Sequence, residues 1–379
     1  AYEGVWTDKN GTLNAVNNCI TATGVTSFST WMVAEVVAAT PPITIYVDAD
    51  ATAGGDGTSW ATAFTDLQDA LATATSGDEI WVAEGTYKPT DGVDRSASFT
   101  MTPGVGIYGG FAGTETDRSQ RDWVTHVVTL SGDIGTIGSY GDNSLHVVVG
   151  TGVTETAVLD GFQVTGGYAN GGSAPNDRGG GIYLSGGRPI IRHCTIAGNR
   201  AVFYGGGMVV ANAGAPIVAD TTFINNTVSY YGGGMASIGN SPSKVVNVRF
   251  LHNTSVSGHG GGALSFQSTP TYVNTVFSGN RANGGDGGGL YNWSANALHR
   301  NVTFSNNYAY NRGGGMSNSN SPSISVVNGI FWDNTAGVSN AEIYPGGLFE
   351  RVTYSIVEGG YTGTGILSVD PFFVDADGA

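Results

Sequence analysis

Residues 220–253 read DTTFINNTVSYYGGGMASIGNSPSKVVNVRFLHN, running from one F-x-x-N motif (Phe223, Asn226) through a glycine triplet to the next (Phe250, Asn253). The same frame continues in both directions. Ile196, Phe223, Phe250, Phe277, Phe304 and Phe331 stand 27 residues apart, and Asn199, Asn226, Asn253, Asn280, Asn307 and Asn334 follow in the same register. Three residues before the aromatic position, a second column reads His193, Asp220, Asn247, Asn274, Asn301 and Asn328. Triplets begin at Gly179, Gly205, Gly232, Gly260, Gly287 and Gly313, each before an apolar position from Ile182 to Met316. The triplets drift by a residue while the F-x-x-N frame does not, so the slack of the repeat lies in one turn.

Helical repeats of this length need amphipathic helices, which a glycine triplet in every unit and Ser-Pro punctuation (Ser241-Pro242, Ser321-Pro322) forbid. The short apolar stretches, such as Lys244-Val245-Val246 and Tyr272-Val273, are strand-like. Three short strands and three turns per 27 residues make one coil of a parallel β-helix, an all-β solenoid. Stacking puts equal positions about 4.8 Å apart. The phenylalanines then fill the interior, and the asparagines form amide ladders. The triplets become tight corners.

Six regular coils cover 179–340, and strand-like segments from Glu79 to Phe162 predict irregular coils over 79–178. C-terminal coils follow over 341–379. Ten or so coils would make a rod on the order of 50 Å long. Asp66-Leu67-Gln68-Asp69-Ala70-Leu71-Ala72 reads as the one good helix, suited to capping the open end of a solenoid within a cap region 43–90. Residues 1–40 share neither repeat nor helix. They read as a β-rich segment or the tail of a preceding domain.

Composition sets the limits. Of 379 residues 61 are glycine, about twice the usual share, yet 12 prolines and no three-residue period exclude collagen. A formal charge of −15 argues against nucleic acid and anionic membranes as partners. There is no apolar run long enough to span a membrane. The opening AYEGVWTDKN has neither a basic nor an apolar signal region, so any targeting segment is expected to have been removed or to lie outside the chain. Two cysteines, Cys19 and Cys194, decide neither redox compartment nor pairing.

The stretch from Tyr46 to Pro89, YVDADATAGGDGTSWATAFTDLQDALATATSGDEIWVAEGTYKP, resembles the N-terminal capping region of secreted β-helix proteins of the pectate-lyase-like superfamily. The triplets followed by Ile, Met or Leu, together with F-x-x-N, resemble repeats of polymorphic outer membrane proteins of the chlamydial type and related bacterial surface proteins. The resemblance spans about 43–375. It implies a right-handed parallel β-helix, extracellular or surface display and structural or adhesive roles. No autotransporter barrel and no C-terminal sorting domain are recognisable, and the ending DPFFVDADGA falls in mid-pattern, so the chain reads as a fragment or processed product.

Catalytic residues are not expected. Gly258-His259-Gly260 resembles the G-H-G motif of β-helix polygalacturonases, but its companion motifs are absent and His259 falls where other coils carry variable corner residues. Asp133, Asp142 and Asp160 lie in irregular coils without an assignable register. Asp48-Ala-Asp50 and Asp375-Ala-Asp377-Gly378 carry alternating carboxylates but not the full ligand set of an EF-type loop, so turn capping is expected. No cofactor is predicted, with Ca²⁺ the only alternative. The candidate binding surface is an aromatic stripe of Phe203, Tyr204, Tyr230, Tyr231, Tyr308 and Tyr310, following the asparagine column on three coils.

These residues predict a non-enzymatic extracellular or cell-surface rod that is structural or adhesive and open to head-to-tail assembly. Partners would be further copies, other surface proteins or glycans. The competing classes are a polysaccharide lyase or hydrolase acting on uronans, and a carbohydrate-binding module without chemistry.

Overall fold

The computed structural model describes residues 41–346 and 350–373, together with the backbone of two short strands nearer the N-terminus. Those two, Thr12–Asn14 and Cys19–Thr21, pair antiparallel in a compact unit spanning Ala1–Pro41. The second unit, Pro42–Ala379, is a parallel β-solenoid of about ten turns. Its strands form three parallel sheets of eighteen, nine and seven strands.

The alternation that makes each strand is simple. Thr271–Ser278 buries Tyr272, Thr275 and Phe277 and turns the residues between them outward. Stacking such strands in register brings Phe223, Phe250, Phe277, Phe304 and Phe331 together inside, with ring centroids 4.6–4.9 Å apart and planes within 10°. Near-parallel stacking at that spacing is the coil repeat imposed on the rings.

Beside the rings runs the inner asparagine ladder. Each asparagine gives its backbone N–H and its Nδ2 to the Oδ1 of the asparagine one coil on, at 2.8–3.1 Å, from Asn199 through to Asn334. Nδ2 also donates to a backbone carbonyl of the coil behind, as from Asn280 to Phe250 at 2.8 Å. Every donor is thereby used at a depth where an unpaired one is costly. The second column forms an outer ladder of opposite polarity. Asn328 donates to Asn301, Asn301 to Asn274, Asn274 to Asn247 and Asn247 to Asp220, at 2.8–3.0 Å. Each of its members has φ of 47–58°, the left-handed bend between two strands, which Asn and Asp tolerate better than most residues.

The glycine triplets are the third corner. Their first members have φ between +60 and +73°. Their third members leave room for the ladder: a Cβ at Gly181, Gly207, Gly234, Gly262 or Gly315 would lie 2.8–3.2 Å from a ladder asparagine side chain. At the N-terminal end the helix Leu67–Thr73, capped by Asp66 accepting from the Gln68 N–H, buries Leu67 and Ala70 against the first coils. At the other end, Glu350–Thr353 and Ile356–Val357 pair with Ser323–Trp332. Cys194 is buried and its thiol is pushed up to about 12 by burial, while the side chain of Cys19 lies outside the described residues.

Candidate functional site

The aromatic face belongs to the nine-stranded sheet. In its strands Met208–Ala211, Met235–Ile238, Ala263–Phe266 and Leu290–Trp293, the first residue points into the solenoid and the second points out. Yet Val209, Ala236, Leu264 and Tyr291 are buried on that outer side. They are roofed by Tyr183, Tyr204, Tyr231, Phe266 and Trp293, which make a second apolar layer outside the sheet.

Four of the six predicted stripe residues meet here. Phe203 lies 5.5 Å from Tyr230, and Tyr204 stacks on Tyr231 at 5.6 Å. Phe203 and Tyr230 project, at 36% and 42% exposed. The other two sit apart. Tyr308 pairs in register with Arg281, whose guanidinium covers its ring, and Tyr310 stands 56% exposed on the same coil. The expected stripe is therefore not continuous, because Tyr308 and Tyr310 fall one and three residues after their ladder asparagine, while the other pairs fall four and five after theirs. Sequence reasoning missed Tyr183, Phe266, Tyr291 and Trp293. Their signal was the second and fourth positions after each triplet, outward by alternation and still largely apolar.

His259 continues the corner column of Arg178, Tyr204 and Tyr231 through parallel bridges. Its ring lies between Tyr231 (5.8 Å) and Tyr291 (4.5 Å), both near parallel. Burial holds its pKa below the ordinary value against the pull of Asp286, so the ring is neutral at pH 7. Its Nδ1 accepts from the Asp286 N–H at 2.9 Å, and the Asp286 Oδ1 accepts from the Arg312 N–H at 3.2 Å. Stacked in this way, Tyr204, Tyr231 and His259 spend their faces on one another.

The irregular coils hold a second constellation, built around Asp160, whose register the sequence did not reveal. The strand Val158–Asp160 sets it between Tyr108 and Arg192 of adjacent coils. Residues 112–127 fold over this outer face and bring Arg121 to it. The fully buried carboxylate accepts from Arg121 Nη2 at 2.6 Å and from Arg192 Nε at 2.7 Å, and Nδ1 of His193 lies 2.8 Å from its other oxygen. Burial alone would raise the Asp160 pKa, but bonds from Arg121, His193 and Arg192 outweigh it and hold the carboxyl below its ordinary value. Trp123 stacks on His193 at 4.3 Å, and Arg118 pairs with Glu79 over the Tyr108 ring. Thr44, Glu79, Trp81, Arg118, Arg121 and Trp123 line an open groove of about 690 Å³.

The other aspartates singled out in the sequence close turns where they are described. Asp133 accepts from the Gly138 N–H and Asp142 from the Thr136 N–H. Asp48 accepts from Asp50, and Asp56 from Thr58. Asp375 and Asp377 lie outside the described residues. Among the described residues, no three His, Cys, Asp or Glu side chains converge as a metal ion would require.

Residues 168–301 match the family model described as the right handed beta helix region. No curated protein matches the chain. Among solved structures it is similar to the pectate lyase Pel9A, at 12% identity and a TM-score of 0.51, over 86% of this chain and 78% of that one. It is also similar to a pectin methylesterase from Aspergillus niger (15% identity, TM-score 0.34, 69% of this chain and 86% of that) and to a rhamnogalacturonan lyase (10%, 0.34, 83% and 87%). The chain is an all-β parallel β-helix carrying a right-handed β-helix region, and it is this fold that it shares with the pectate lyase.

Proposed function

We propose that the chain is a non-catalytic rod of the extracellular or cell-surface space, adhering to a protein partner through the aromatic face. The observation that carries this reading is the projecting pair Phe203 and Tyr230 on a roof of inward-packed rings. A rigid aromatic anchor on a stiff support suits a protein contact, where a few aromatic residues supply most of the binding energy. A sugar ring would need an open aromatic face, and in the column behind the anchors those faces are turned to each other. The same reading accommodates end-to-end assembly. The C-terminal coil exposes Tyr354, Leu367, Val369, Phe372 and Phe373, apolar surface that a neighbouring rod would bury.

A polysaccharide lyase, a hydrolase or a carbohydrate-binding module is the alternative, with the groove beside Arg118 and Glu79 as the place to look. The test presents the purified chain to immobilised extracellular proteins and to pectin and alginate, with and without Ca²⁺. The Phe203→Ala/Tyr230→Ala variant runs alongside, with Tyr231 spared because it is packed into the roof. Binding to a protein that falls at least about tenfold in the variant is expected. Cleavage of either uronan, or polysaccharide binding indifferent to the variant, would sink the reading.

A further inference from the structure

The solenoid departs from its own rule at one coil. Met208 N–H donates to the third glycine of the next triplet, Gly234, and the equivalent bond from Met316 goes to the carbonyl of Glu342. A glutamate thus stands where earlier coils have glycine. The ladder breaks in the same coil, since the pairing of Phe331 with Val357 puts Gly360 where a seventh asparagine would stand.

The two departures compensate. Without an asparagine the coil has room for a side chain at the third corner position, and Glu342 fills it. Its Oε2 accepts from Asn334 Nδ2 at 2.6 Å and its Oε1 from the Asn334 N–H at 3.2 Å. These are the two donors that every earlier asparagine gives to its successor. Glu342 is only 7% exposed, in an open cavity of about 390 Å³ lined also by Val357, Glu358, Gly360 and Tyr361.

Glu358 arrives from the terminal coil and accepts from the Asp333 N–H at 2.9 Å. The titratable groups facing Glu342 are therefore Glu358 and Tyr361, with Asp333 beyond them. Arg312, on the preceding coil, lies beside Asp286 and bonds Tyr344. Burial pushes the Glu342 carboxyl up to about 8, outweighing the bonds from Asn334 that pull it down, and Glu358 adds a smaller push in the same upward direction.

We infer that Glu342 and Glu358 form a proton-holding clamp that closes the C-terminal end of the ladder. With the proton held, the Glu342 acid O–H faces the Glu358 carboxylate, and the terminal coil is locked onto Ser323–Trp332. When the proton leaves to water, two carboxylates face one another at a buried ladder end, and the coil opens. Opening bares the edge of Ser323–Trp332, and an unpaired edge is a template for another strand. This does not depend on what the aromatic face binds.

The sign follows from proton binding. An acid whose folded pKa is raised holds a proton that the open state has released, so the clamp weakens as pH rises from the ordinary carboxyl range to the folded value. Hydrogen exchange on the full chain, corrected for the intrinsic pH dependence, reads this directly. Protection over 350–357 should fall about tenfold per pH unit between about pH 5 and pH 8 and then level off. The coil 223–250 should stay constant. Glu342→Gln, which keeps an acceptor for Asn334 and a permanent donor toward Glu358, should hold 350–357 protected throughout. Glu358→Gln should bring the levelling-off to lower pH. A wild-type profile flat with pH, or Glu342→Gln titrating like wild type, overturns the proposal. So does a Glu342 carboxyl ¹³C midpoint in the ordinary carboxylate range.

Discussion

The coils from Ile196 to Asn334 and those from Glu79 to Thr165 share one continuous sheet but are held by different means. In the first set each coil repeats the last, and the stabilising groups are neutral: a stack of phenyl rings and two files of amides. In the second, the outer column reads Trp81, Tyr108, Asp160 and Arg192, no two alike. There an excursion over 112–127 is fastened down by a buried carboxylate and its arginines. Neutral ladders can be copied from coil to coil because each rung satisfies its neighbour. A buried charge cannot be repeated, since it needs its own unlike partners.

The difference can be broken most directly at Asp160. Asp160→Ala leaves Arg121 without its buried partner and should cost about 3–5 kcal/mol. Loss of exchange protection should be confined to 79–165, the excursion included, and the adjoining strand Ile190–Arg192, because a solenoid coil feels mainly its neighbours. Its pH dependence runs against that of the C-terminal clamp. A carboxyl with a lowered folded pKa contributes stability above its ordinary value and loses it as pH falls through the folded one, so acid should loosen the N-terminal coils first. Melting that begins instead in the coils 223–331 would remove the distinction.

Asn280→Ala tests the opposite region. It orphans the N–H of Asn253 and one of its two Nδ2 hydrogens, both buried, and should cost about 2–4 kcal/mol. Urea denaturation measures the loss, and exchange should locate it in the coils 250–307. An equal loss of protection at 79–131 would mean that the coils do not respond separately. The smallest effect is expected on the outer ladder. Asn274→Ala removes exposed bonds to water-accessible neighbours and gives up a residue tolerant of its left-handed φ, a change within about 1 kcal/mol.

Much of the fold was legible because the regular coils write the same residue at the same place. Phe223 to Phe331 and Asn199 to Asn334 need only be aligned to show which side chains touch. Half the aromatic face was legible for the same reason, through Phe203 beside Tyr230 and Tyr204 beside Tyr231. Its roof was not, because outward apolar positions such as Leu264 and Tyr291 look like ordinary strand residues until a neighbour covers them. Asp160 was illegible for a different reason. The excursion over 112–127 breaks the spacing between coils, so no period links Tyr108 to Asp160 or brings Arg121 near either.

The two amide files run in opposite senses, and each delivers its last donors to the side chain of an acidic residue: Glu342 for the inner file and Asp220 for the outer. Nothing between these ends distinguishes one rung from the next. A 27-residue unit duplicated or deleted inside the array would change every downstream residue number but no type of contact within the two files. The length of the solenoid is therefore a countable trait, set by how many copies lie between two acidic stops, and it could change in whole steps without a new core having to be found.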